Sequence, residues 1–469
     1  MIIEEKKINK ISESREKALN FFHKIGLPSR KLERWKYTDL SKKFADKVNV
    51  KDVDLLDANL FNKTQSLRDY VEANSCAARI DLNKINDLIQ NVGIPGEDSI
   101  KLFFKNGNFI EELLDKRLLD NNIIIKKNDQ IDNINNQLNY IGADDNKSPE
   151  PMLALNQALA FGGVSIEIRS GFKCDKLIEL IYLDDNDFNN YRNYIKLNSG
   201  SYLRLAEVCL SKNNAINNIA MQVELDDSSD LDYLNYSEII DLDNINDGDD
   251  SYDDSGDDLK NNKNFGNLVH YISVKQNKNS VFKSFNADFS CGLNRFDIDI
   301  LLQEQNARCQ LNGVYALSGK SHSDHHTRVR HIADNTISDQ CYHGVLGDKS
   351  VGVFNGELIA DKHTKNIDAH QLNKNLLLNK GAVIYTKPEL RIETDDIKCG
   401  HGASIGELDD KSMFYLLSRG ISKPQAKLML MQAFLMRPVS DEDFSCWREF
   451  LDRLLSKSIR SHFWCEDNI

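Results

Sequence analysis

The sequence predicts a mainly β protein with a helical region at each end, and three observations carry that prediction. Short β-rich runs at 164–169, 177–182, 202–207, 296–301 and 382–386 are parted by Gly, Asn and Asp turns. No amphipathic helix stands between these runs, which excludes a doubly wound α/β sheet. Both ends of the chain then switch to helical patterning. Two architectures satisfy these facts: an antiparallel sandwich or barrel, and a parallel β-helix whose coils each supply two or three strands. Asparagine leans towards the coil. Asn373, Asn375 and Asn379 fall in one turn-rich stretch, and stacked polar turns suit a solenoid whose neighbouring rungs share side-chain hydrogen bonds.

At 469 residues the chain is too long for one ordinary core. Three regions are expected: 1–150, 151–408 and 409–469. No run of eighteen apolar residues occurs, and Glu4, Glu5, Lys6, Lys7 and Lys10 exclude a secretory hydrophobic segment at the start. A soluble, cytoplasmic protein without a membrane partner is the expectation. Nine cysteines without a C-x-x-C pair argue against a disulfide framework and a structural zinc finger, so most should be small buried hydrophobes. The net charge of −13 is largely local, because residues 226–258 hold fourteen acidic side chains and no Lys or Arg. With no basic stripe to offset it, a nucleic-acid partner is excluded. The acidic stretch 226–262 is expected to be a solvated, self-repelling loop extruded from one coil, and spacing such as Asp249-Asp250-Ser-Tyr-Asp253-Asp254 lacks the Gly and terminal Glu of an EF-hand.

Taken in order, residues 5–90 read as helical, with Ser12 and Glu13 ahead of an apolar face and Gly26 and Pro28 ending the first helix. The run 27–40 places Trp35 and Tyr37 among basic residues, which predicts a packed turn with a charged rim. Asn106-Gly107 between apolar runs predicts a type I′ hairpin. The stretch 152–161 predicts a helix leading into the β zone. Beyond it, Asp409 or Asp410 can cap a helix over 411–419 that Gly420 ends, and Ser422 with Pro424 opens a second over 425–436. That second helix carries Met429, Met431 and Met436, a composition used both in cores and on adaptable docking surfaces.

Two groups of residues could carry chemistry. In the run 394–406, Cys399 and His401 stand two apart on a predicted strand and so share a face, where they could offer sulfur and nitrogen donors to iron, zinc or an iron–sulfur cluster. Two ligands do not complete a site, and spacing alone favours a buried thiol beside a satisfied histidine. The second group is His322, His325, His326 and His331, with His343 beyond. A polar turn whose Asp and His side chains satisfy neighbouring rungs is the favoured reading; metal binding through His325 and His326, as in a stand-alone β-helix metalloenzyme, is the alternative. Neither G-x-S-x-G nor a phosphate-binding G-x-x-x-x-G-K-[ST] is present.

Several long motifs in order carry a resemblance: Asn375-Leu-Leu-Leu, Thr386-Lys-Pro-Glu-Leu390, Asp395-Asp-Ile-Lys-Cys-Gly-His-Gly-Ala403 and Phe414-Tyr-Leu-Leu-Ser-Arg-Gly420. Together they resemble the SufB/SufD family of iron–sulfur cluster assembly proteins. The N-terminal pattern Pro28-x-Arg-x-x-Glu-x-Trp-x-Tyr37 is similar to the SufD branch in particular. What the resemblance implies is a right-handed parallel β-helix core between an N-terminal α+β region and a C-terminal helical domain. It further implies a non-catalytic scaffold that pairs with SufB and with the ATPase SufC. The ATPase is expected to dock on the C-terminal helices through Phe414, Tyr415, Arg419, Leu428, Met431 and Phe434. A transient Fe–S cluster is expected at the SufB interface, with His401 the matching ligand and Cys399 its neighbour. A flavin and a homodimer formed without SufB are both compatible with it. Two departures stand out: Tyr385 replaces a commonly short polar residue, and the acidic stretch is an insertion.

Overall fold

The computed structural model describes residues 2–44, 93–127, 150–160, 162–184, 188–211, 215–237, 266–289 and 292–463. The helical pattern read over 46–90 lies outside the described residues, as do most of the acidic stretch and Cys76, Cys291 and Cys465.

Nineteen strands lie among the described residues. The first nine are β1 (Ser99–Lys105), β2 (Asn108–Phe109), β3 (Ile123–Lys127), β4 (Val164–Ile168), β5 (Lys173–Asp184), β6 (Phe188–Leu197), β7 (Tyr202–Ser211), β8 (Ile216–Leu225) and β9 (Asp230–Tyr236). The next five are β10 (Asn267–Gln276), β11 (Val281–Asp288), β12 (Leu293–Leu302), β13 (Arg308–Leu317) and β14 (His322–His331). The last five are β15 (Ile337–Leu346), β16 (Val351–Ala360), β17 (Ile367–Leu377), β18 (Val383–Ile392) and β19 (Ile397–Gly406). From β5 onwards consecutive strands alternate between two sheets. One runs β19-β17-β15-β13-β11-β9-β7-β5-β1-β2, and the other β18-β16-β14-β12-β10-β8-β6-β4-β3. This is a parallel β-solenoid of about seven turns with helices at both ends.

Pairing is in register: Leu293 meets His322, which meets Val351, so each of these coils takes 29 residues. Side-chain alternation decides what fills the lumen. Phe296, Ile298, Ile300 and Leu302 of β12 all turn inwards and join the largest apolar cluster. The corners are built as the asparagine content suggested, but at other positions. Asn279, Asn306, Asn335 and Asn366 adopt φ of 56°, 62°, 58° and 53°, which Asn tolerates better than most residues. Between coils Asn306 donates to Asn279, and Asn366 to Asn335, each at 2.8 Å. Asn373 and Asn375 are not in a turn. They lie buried inside β17, bonded to each other at 2.6 Å and to the Tyr315 hydroxyl at 3.2 and 2.5 Å.

Strands of the N-terminal region open the solenoid and do not form a separate sheet. Asn106 and Gly107 have φ of 49° and 82°, the type I′ geometry, and join β1 to β2. The expected start of the acidic loop at Asp226 is corrected. Residues 226–237 belong to a coil, with β9 paired between β7 and β11; Leu231, Tyr233 and Leu234 bury enough apolar surface to hold it there.

Each outer sheet face carries its own cover. On the even-strand sheet lie helices α1 (Ile2–Ile25) and α2 (Pro151–Leu159), with Phe22, Trp35, Met152 and Leu155 packed on Ile216, Val269 and Leu293. The odd-strand sheet is covered by α4 (Lys423–Val439) and α5 (Arg448–Phe463), while α3 (Asp410–Ser418) lies beside α4 and buries no residue. There Met431, Leu435, Trp447 and Leu451 pack on Phe285, Val314 and Val345. Asp409 caps α3 by accepting the Ser412 N–H at 2.7 Å, and Gly420 ends it at φ 80°. No helix of the described residues is long and apolar enough to cross a membrane.

Candidate functional site

The last coil has no successor. Strand β19 pairs with β17 and β18 with β16, and each is the terminal strand of its sheet. In that register Cys399 sits on Ala369 and His401 on Gln371, both of which point into the lumen and are almost fully buried. Cys399 and His401 therefore face the lumen too. With no coil above them they are exposed, which corrects the reading of Cys399 as a buried thiol. The intervening Gly400 approaches His370 on the outer face. One sulfur and one imidazole nitrogen thus project together from the mouth of the solenoid. Such a pair can supply two soft-to-borderline ligands and leaves the remaining positions to another molecule. Of the other described cysteines, Cys174 and Cys309 are buried, Cys209 and Cys341 half-buried and Cys446 exposed.

The histidine cluster resolves differently. Residues 322–331 form β14, not a turn, because flanking coils pair with both sides of it. Neighbours on a strand point to opposite faces, so His325 and His326 cannot meet at one ion. Among the described residues no group of three or more His, Cys, Asp and Glu could hold a metal. The geometry therefore does not support metal binding through His325 and His326, the pair on which the metalloenzyme alternative rests. His325 is a luminal ring stacked between Phe296 and Tyr315, with centroids at 5.4 and 5.1 Å. Burial drives its pKa down to about 4. His331 is bonded to Thr336 and Ser338 at 2.8 and 2.9 Å, and burial lowers it likewise to about 4.

On the outward side of the same strand, Asp324 and His326 anchor the N-terminal motif. Trp35 is buried, donates to Glu150 at 2.6 Å and lies 3.8 Å beneath the Arg295 guanidinium. Arg34 donates to Asp297 at 2.8 Å, and the Thr38 hydroxyl donates to Asp324. Burial alone would raise the Asp324 carboxyl, but Arg295 at 2.6 Å and His326 at 2.9 Å outweigh it and hold it well below the usual range. The packed turn with a charged rim is what the fold contains. Tyr385 finds its reason here as well: it stacks on Tyr37, centroids 4.0 Å apart, joining the N-terminal segment to the last coil.

On the C-terminal helices the six expected docking residues divide. Phe414 and Tyr415 are 74% and 56% exposed, and Arg419 lies 5.1 Å over the Tyr415 ring. Met431 is fully buried against the solenoid, and Leu428 and Phe434 are partly spent on the same packing, Phe434 stacking on His343 at 4.6 Å. Met429, 48% exposed, joins the free face. The sequence offered no means of telling Met429 from Met431, since both lie on an apolar stripe.

Fold and site together define a parallel β-solenoid that carries an exposed thiol and imidazole side by side on an uncovered terminal coil. Residues 181–434 match the SufBD core domain of SUF system FeS cluster assembly, and residues 1–60 match the SufBD protein N-terminal region. The chain belongs to the SufBD family. Within it, the chain is similar to an iron–sulfur cluster assembly SufBD family protein of Synechocystis, 29% identical over 38% of this chain and 39% of that one. It is similar to the iron–sulfur cluster assembly protein SufD of Escherichia coli, 35% identical over 30% and 33% of the two chains. The likeness to SufD of Bacillus subtilis is lower, 21%, but extends over 71% of each. The first two matches thus span two fifths and one third of those relatives.

Proposed function

We propose that this chain is a non-catalytic, SufD-like scaffold subunit of SUF iron–sulfur cluster assembly. It pairs with a SufB-type solenoid at its open end, carries a SufC-type ATPase on α3 and the start of α4, and holds a nascent cluster as transient cargo. One observation carries the reading: Cys399 and His401 project from the luminal face of a terminal strand whose free edge is a template for another chain. A pair of donors at an unpaired edge is completed by whatever binds that edge. His401 is the stronger ligand of the two. Phe414, Tyr415 and Arg419 have the composition of a binding hot spot, aromatic rings with a stacked guanidinium. The setting implied is cytoplasmic, where an exposed thiol such as Cys399 stays reduced.

The test is co-expression with SufB-type and SufC-type partners, followed by anaerobic purification of wild type and His401→Ala. The variant should copurify with both partners and carry less cluster absorbance. Equal absorbance would remove His401 from the mechanism, and a wild-type chain that captures neither partner would overturn the scaffold itself.

A further inference from the structure

We propose that Gln371 is a positioning residue that orients the His401 imidazole; this rests on the reading of His401 as a cluster ligand. The luminal column beneath His401 changes character as it nears the open end, running Leu311, Gln340, Gln371, His401 on successive odd-numbered strands. Gln340 Oε1 accepts two hydrogen bonds, from the Thr327 hydroxyl at 2.7 Å and from Gln371 Nε2 at 3.2 Å. The Gln371 amide is also held from the side. It lies across the lumen against Gly356 of β16, where a Cβ would collide with it. With Nε2 committed downwards, Gln371 Oε1 is left buried and without a hydrogen-bond partner.

A buried carbonyl without a donor is costly, and natural structures rarely leave one. The layer above it along the column is His401, on a strand about 4.8 Å away by ordinary sheet spacing. An imidazole N–H directed down the column satisfies Gln371 Oε1. The other ring nitrogen then carries its lone pair towards the mouth, where the partner ends. Metal-binding histidines are commonly fixed in this way, by a carbonyl on the nitrogen that does not bind. Thr386, whose buried hydroxyl also lacks a partner, is the rival donor from the facing strand.

The full-length chain labelled with 15N-histidine tests this, with His401 assigned by difference from His401→Ala and observed where the ring is neutral. One tautomer should dominate in wild type, persist in Gln371→Glu, which keeps an acceptor oxygen, and persist in Thr386→Val. Gln371→Leu should return His401 to the mixed tautomers of an exposed histidine. In the complex with the SufB-type partner, Gln371→Leu should weaken cluster retention roughly tenfold or more, and Gln371→Glu less. An unchanged tautomer ratio in Gln371→Leu overturns the proposal, as does a ratio altered by Thr386→Val. Because the spectrum is read on the isolated chain, it stands apart from the cluster yield of His401→Ala.

Discussion

At its N-terminal end the solenoid finishes both sheets with antiparallel strands, two-residue β2 against β1 and five-residue β3 against β4. At its C-terminal end it finishes them with β18 and β19, ten residues each, paired on one side. Short antiparallel strands blunt a sheet edge, whereas a long terminal strand invites pairing. The inner faces differ in the same sense. Leu102 and Phe104 at the closed end are fully buried, while luminal Ile405 at the open end is 52% exposed; on the outer face of the same last coil Val383 is 37% exposed. One end is closed by short antiparallel strands and the other is left exposed, and the candidate ligands sit at the second.

Substitutions at the two ends should therefore part company. Leu102→Ala is expected to lower folding stability by about 2–5 kcal/mol, read by urea unfolding, and to leave partner affinity intact. Val383→Asp combined with Ile405→Asp should weaken binding of a SufB-type partner by about a hundredfold while changing stability by less than about 1 kcal/mol. If the closed-end variant cost affinity, or the open-end pair cost stability, the division of labour would fall.

The same contrast can be sharpened on the C-terminal helices. Met431→Ala should destabilise by about 2–5 kcal/mol, since its side chain is fully buried between α4 and the sheet. Phe414→Ala should leave the melting temperature nearly unchanged and reduce capture of a SufC-type ATPase by about thirtyfold. A pull-down and a thermal scan on the two variants decide it.

Acid should reach the closed interior selectively. Native His325 and His331 hold their pKa near 4 against an ordinary 6.5. Between those values the unfolded chain takes up protons that the native lumen refuses, so stability is full above pH 6.5 and falls as pH drops towards 4. By pH 5 the loss should be about 1–2 kcal/mol per histidine. His325→Phe should flatten the slope, and an unchanged slope would count against a neutral luminal ring. The smallest effect expected is at the seam between N-terminal segment and last coil. Tyr37→Ala should cost about 1 kcal/mol through loss of the stack on Tyr385.

Much of this was legible beforehand because it is local. The type I′ turn at Asn106-Gly107 and the caps at Asp409 and Gly420 depend on a few adjacent residues, and each lies where the pattern put it. A repeated coil marker is legible only once the strands are known. Ser201, Ser229, Ser280, Ser321 and Ser350 each donate a hydroxyl to the carbonyl three residues back, just before a strand. Divergence of the intervening residues and the acidic interruption hide the repeat. The turn expected at 322–331 is a strand for a related reason: polar and charged residues look like loop until neighbouring coils and the docked Thr38 supply their partners.

By itself the sequence determined the β-rich texture, the turn chemistry and the fact that Cys399 and His401 share a face, since alternation along a strand is a property of the backbone. Which face that is, and whether anything covers it, only the tertiary structure decided. In-register stacking carries Ala369 and Gln371 beneath the pair and leaves nothing above it, because exposure at a solenoid's end depends on the coil that does not follow.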